Sequence, residues 1–194
     1  MKTYVIIDNG HGDDTAGKCS PDGRYHEWEW TRMAARRLML ELKGRGMTTQ
    51  LLVPEDHDVD LRTRCRRANE IYRYSPEAVL LSLHSNASGD GTAWGDASGW
   101  SAWVAPGASR ASRRLAGLLS LEASRRNLFG NRHTPAVGYW ERGLYICRNT
   151  LCPTVLTENM FHDHRGDVDF LLSDEGLDEI VQLHADAIER YYED

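Results

Sequence analysis

Apolar residues along the chain recur with two periods, and the alternation between the two outlines the fold. Residues 4–7 are a short, largely β-branched run that ends in Asp8-Asn9-Gly10-His11-Gly12, a strand stopped by a glycine turn. Residues 13–25 are polar, with Gly and Pro, and predict a loop. Between 27 and 43 the apolar residues, among them Trp30, Met33, Ala34, Leu38 and Leu42, return at steps of three and four until Gly44 and Gly46 interrupt them, which predicts a helix. A second strand is expected over 47–53. Asp60 is a suitable N-cap for a helix through about Tyr74, closed by Ser75-Pro76. The unbroken apolar run 78–83 predicts a fully buried central strand, ending at His84-Ser85-Asn86. Residues 88–99 are turn-forming throughout. There follow a strand at 100–104, a helix at 109–126 with Leu115, Leu118, Leu119 and Ala123 inward, and a loop at 129–142. Strands at 144–147 and 154–157 and a last helix at about 175–191 complete the pattern. Strands alternating with helices predict an α/β domain, its sheet parallel or mostly parallel with helices on both faces.

Composition narrows this little. The chain has 194 residues, 41% hydrophobic and 27% charged, which suits one soluble globular domain without repeat, linker or low-complexity segment. With 23 Lys and Arg against 29 Asp and Glu the net charge is −6, a poor match to nucleic acid. The basic run Arg62, Arg64, Arg66, Arg67 reads first as a solvated helix face and second as a contact for a partner. No apolar stretch is long enough to span a membrane, and the first apolar run is too short for a signal peptide. Of the four cysteines, Cys147 and Cys152 stand closest, at a spacing unusual for zinc; all four are expected as thiols.

Sites in open α/β sheets lie at the carboxyl ends of the strands. Those ends give a short list: His11 after the first strand, His84 after the central one, and Glu158 after the last. Glu27, at the start of the first helix, follows a loop that has to return over the same edge. Each also has a plainer reading, as a loop or strand-end histidine, a helix-dipole acid or a paired surface carboxylate. Together, two imidazoles and one carboxylate make a catalytic zinc set with a fourth position open for water. A further carboxylate, for which Glu158 is the candidate, would move the proton. No H-E-x-x-H pair and no G-x-S-x-G elbow is present, which removes the common helix-borne zinc site and weakens a serine hydrolase.

The segments Ile6-Ile7-Asp8-Asn9-Gly10-His11-Gly12, Glu27 ahead of Ala35-Arg36-Arg37-Leu38, Leu81-Ser82-Leu83-His84-Ser85-Asn86-Ala87 and Pro153-Thr154-Val155-Leu156-Thr157-Glu158-Asn159-Met160-Phe161 occur in an order that resembles the zinc-dependent N-acetylmuramoyl-L-alanine amidases. Arg64, Ala68 and Asn69 are similar to that family's second helix. The resemblance covers nearly the whole chain as one catalytic domain. It implies a twisted, mostly parallel sheet of about six strands. It also implies cleavage of the amide between the lactyl group of muramic acid and L-alanine in peptidoglycan, with one zinc ion. By motif, His11, Glu27 and His84 carry over as ligands and Glu158 as the catalytic carboxylate. Glu29, and less so His26, remain rivals of Glu27. Two departures stand out: Asn9 where the family commonly has Pro, and Asn159-Met160 where it has a small residue before Phe. His162 and His164 read as loop residues, with a supporting or pH-sensing role as the alternative. Asn86, Trp94, Trp140, Glu141 and Arg148 are candidates for contact with sugar and peptide. A phage or prophage lysin, acting on the wall after release, is the expected setting. Two other readings stay open: a non-catalytic peptidoglycan-binding protein, and a zinc peptidase acting on the stem peptide.

Overall fold

In the computed structural model, which describes residues 3–193, the strand-length apolar runs pair into one sheet. Its members are β1 (Tyr4–Asn9), β2 (Thr48–Leu51), β3 (Ala78–Asn86), β4 (Ser101–Val104), β5 (Trp140–Glu141) and β6 (Thr154–Phe161), in the order β2-β1-β3-β6-β4-β5. β2, β1, β3 and β6 are parallel; β4 is antiparallel to β6, and β5 is parallel to β4. The helices are α1 (Glu27–Gly44), α2 (Leu61–Tyr74), α3 (Arg110–Arg125), α4 (Tyr145–Asn149), α5 (Arg165–Leu172) and α6 (Asp174–Glu193). The fold is therefore the expected mostly parallel α/β sheet.

The two-residue period of the strands divides the interior in two. Val5, Ile7, Val79, Leu81, Leu83 and Val155 pack against α1, α3, α5 and α6. Their neighbours Ile6, Leu80 and Leu156 face the other way, onto Val59, Cys65 and Ala68 around α2 and Ile146 of α4. On that second face the apolar rows give way to Asp8, Ser82, His84 and Glu158 at the carboxyl ends of the strands. The same alternation that builds the smaller core thus delivers polar side chains to one edge of the sheet.

Several segments differ from expectation. Residues 144–147 are not a strand: they open α4, whose Ile146 is buried while Tyr145 is exposed. Helical back-bonding from Asn149 Nδ2 to the Tyr145 carbonyl and from Thr150 Oγ1 to the Ile146 carbonyl closes this turn. A short apolar run carries no period that separates strand from helix. The sixth strand is instead β5, two residues inside the expected loop. α5 was not expected either: only Val168 and Leu171 are buried apolar residues on it, and its N-cap is His164 rather than a common capping residue. β3 and β6 also run past their expected ends, so that His84 and Glu158 lie within strands.

Candidate active site

His84 of β3 and Glu158 of β6 are direct partners across the parallel pair, so both side chains leave the sheet on the same face. After them the register slips: Asn86 lies opposite Phe161, a bulge with one extra residue on β6. Met160 within it adopts φ +65°, the left-handed region that favours glycine. His11 follows β1 at φ +61°, turned back over the edge toward His84; the two rings meet edge to face with centroids 5.1 Å apart. Gly10 permits this approach, since a Cβ there would lie 2.5 Å from the His84 ring. Gly12 is needed for a different reason: a Cβ would collide with the backbone of Asp58.

Glu27, the first residue of α1, is 1% exposed. Its Oε1 lies 3.0 Å from His84 Nδ1 and 3.5 Å from His11 Nε2, and accepts a 3.0 Å hydrogen bond from the Ser85 amide. One donor atom from each of His11, Glu27 and His84 falls within 4.8 Å of the others, the one such group of three among the described residues. Glu29 and His26, the rivals, are both exposed. Burial would raise the Glu27 pKa; the hydrogen bond and charge of His84 outweigh it and bring it to about 2. Burial lowers His11 to about 4. For Glu158 the balance is reversed: burial dominates and raises its pKa to about 7. Buried Oε2 atoms of both Glu27 and Glu158 have no hydrogen-bond partner. Two imidazoles, an anionic carboxylate with a free oxygen and a nearby carboxyl group suit a divalent cation of the zinc type.

Arg64 holds this edge together from below. The helical period places it beside Cys65 and Ala68 on the buried stripe of α2, which corrects the reading of the whole basic run as a solvated face. Its guanidinium bonds Asp8 Oδ1 at 2.7 Å, Asp58 Oδ1 at 2.8 Å and the carbonyls of Asn9, Val59 and His11; Ser82 Oγ donates to the other Asp8 oxygen. Arg67 likewise turns in to Glu55. A cavity of about 320 Å³ opens beside the cluster, with His11, His84 and Glu158 at one end and Val59, Leu144 and Ile146 among its apolar walls.

His162, read as a loop residue, is 1% exposed. It lies 3.8 Å from Glu27 Oε2 and 3.1 Å from Ser85 Oγ, and stacks on the buried Tyr25 ring. Burial lowers its pKa. No signal in its own neighbourhood reveals this; the bulge at Met160 decides which way it points. Asn159 donates to the His84 carbonyl and accepts from Trp100 Nε1. The remaining candidates scatter. Asn86 ends β3, with its Oδ1 bonded to the Ala87 amide. Trp94 lies under the Arg165 guanidinium. Trp140 stacks on Trp103, with Arg132 over its ring. Glu141 pairs with Arg113. Arg148 borders a separate hollow with Ser109 and Cys152. All four cysteines are free.

A family model described as N-acetylmuramoyl-L-alanine amidase matches residues 5–190. The amidase CwlM of Bacillus licheniformis is 25% identical over 188 residues, spanning 97% of this chain and 68% of that protein. The crystal structure of an N-acetylmuramoyl-L-alanine amidase from Clostridium difficile 630 superposes with a TM-score of 0.85 at 21% identity, covering 99% of this chain and 97% of the other. The catalytic domain of CwlV from Bacillus (Paenibacillus) polymyxa var. colistinus gives a TM-score of 0.82 at 21% identity over 100% and 99% of the two chains. The order of the strand-end motifs, the sheet they build and the match along almost the full length agree: the chain belongs to the N-acetylmuramoyl-L-alanine amidase family.

Proposed function

We propose that this amidase is a zinc hydrolase that cuts the amide joining the lactyl group of N-acetylmuramic acid to L-alanine. His11, Glu27 and His84 would hold the ion, and Glu158 would move the proton. The observation that carries the reading is the convergence of those three donor atoms within 4.8 Å, next to a carboxyl group whose pKa is raised to about 7. An ion held there would polarise the substrate carbonyl and make water acidic enough to attack near neutral pH.

The other steps fall to the chain. Ser85 N–H and His84 keep Glu27 anionic and aimed. Glu158 accepts a proton from the attacking water and returns it to the alanine nitrogen as the carbon–nitrogen bond breaks. The water oxygen ends in the lactyl carboxylate, and the peptide leaves with a free amino terminus. Digestion of purified muropeptides, with and without a chelator and with products identified by mass, tests this. The expected products are the lactyl acid and an intact stem peptide beginning with alanine, both absent after chelation. A cut inside the stem, or turnover indifferent to chelation, would overturn it.

A further inference from the structure

The basic run on α2 splits in two. Arg64 and Arg67 turn inward, as described above. Arg62, Arg66 and Arg73 stay exposed; with Asn69 they occupy successive turns of one helix face, at i, i+4, i+7 and i+11. These four residues line an open groove of about 580 Å³ whose other wall is Tyr145 and Asn149 of α4. Asn69 fixes that wall, donating to the Asn149 carbonyl at 3.0 Å and accepting from the Leu151 amide at 2.7 Å. No carboxylate lines the groove. Arg66 does pair with Glu70 at 3.1 Å, but both side chains are about half exposed or more, at 62% and 49%, and such a pair yields readily to a competing anion.

The groove adjoins the proposed catalytic cavity. Tyr145 borders both, and Leu61, next to Arg62, lines the cavity. A chain that passes Tyr145 would run from the groove to the group held near Glu158. The step from Arg62 to Arg73 spans ~16 Å of helix, which an extended peptide of about five residues covers.

We propose that this groove takes the peptide side of the substrate, and that Arg62, Arg66 and Arg73 read its ionised carboxylates. The inference rests on the amidase reading above. The two sides of the scissile amide differ in charge: N-acetylated sugars whose lactyl acid is tied up as an amide carry none, whereas a peptide carries at least its terminal carboxylate. Within a chain of net charge −6, a positive groove beside the catalytic cavity selects the anionic side.

The test is the variant Arg62→Gln/Arg66→Gln/Arg73→Gln in the zinc-loaded full chain, with circular dichroism as the control for folding. Soluble muropeptides are compared with their stem carboxylates free or amidated. Wild type is expected to prefer the free acids, and the variant to lose about tenfold of that preference, through KM rather than kcat. An equal loss on both substrates, or no loss, overturns the proposal. A second arm titrates the free stem peptide into both proteins without turnover; weaker binding by the variant is the expected result, equal binding the contrary one. If neither protein cleaves either substrate the amidase reading fails, while this arm still decides the groove. A variant weakened only toward a glycerol-phosphate polymer would assign the groove to a different wall anion and overturn the peptide assignment.

Discussion

Glu27 and Glu158 are carboxylates on one edge of the sheet that their surroundings drive apart. Glu27 is brought to about 2 by His84 and its other hydrogen bonds despite burial, whereas Glu158, with little to offset burial, rises to about 7. A group that stays anionic suits a ligand, and one that trades its proton near neutrality suits a shuttle. The proposed roles can be separated by substitution. Glu158→Gln keeps the shape and removes proton exchange, so the rate is expected to fall about 10²–10⁴-fold with zinc content equal to wild type. His84→Ala should lose the zinc itself, because it removes a donor and the partner that holds Glu27 in place. Metal analysis beside a muropeptide assay reads both. Turnover near wild type in the Gln variant would take the proton-transfer role away from Glu158.

At the scale of elements, α6 is tied to the sheet by a buried histidine. His184 sends Nδ1 to the Ile180 carbonyl at 2.7 Å and faces Thr157 Oγ1 of β6 with Nε2 at 3.0 Å. A carbonyl only accepts, so Nδ1 carries the proton and Nε2 accepts from the hydroxyl. Burial lowers the pKa of His184 from 6.5 to about 4. Between those values the unfolded chain binds the extra proton, so this contribution to stability is complete above pH 6.5. It is lost as pH falls toward 4, by up to roughly 3 kcal/mol. Urea unfolding at a series of pH values should show that slope in wild type and a flatter one in His184→Gln; identical slopes would contradict the assignment. Elements with many repeats of their period were legible in the sequence: the buried run of β3, the stripes of α1 and α3, the strand ends that carry His11, His84 and Glu158, and the start of α1 that carries Glu27. Those that escaped have little period of their own. α4 is one turn with one buried residue, β5 is two residues defined only by its pairing to β4, and α5 carries Gly166 in its first turn, which weakens a helical pattern. The same limit applies within the site. Arg64, read with its basic neighbours as part of a solvated face, shares the buried stripe of α2 with Cys65 and Ala68, and His162 reaches Glu27 only through a bulge that no residue pattern announces.

For the molecule as a whole, the proposed ligands come from the end of β1, the start of α1 and β3, so an ion bound there would tie together three elements that packing and hydrogen bonds already hold side by side. Such a site does not exist in the unfolded chain, and whatever binds the native state alone stabilises it. At a free zinc concentration 100 times the dissociation constant the gain is about 2.7 kcal/mol, which for a domain of this size is roughly 5–10 °C in Tm. Chelation should therefore lower the melting temperature of the zinc-loaded protein by that amount, and returning zinc should restore it. The sheet and its two cores do not depend on the ion, so the stripped chain should still melt cooperatively and keep its far-ultraviolet circular dichroism. His84→Ala provides the comparison, because its Tm should not respond to zinc or chelator at all. A wild-type protein whose melting is equally indifferent would mean that the three side chains pack together without binding metal, and His84 with Glu27 would then be only a buried ion pair.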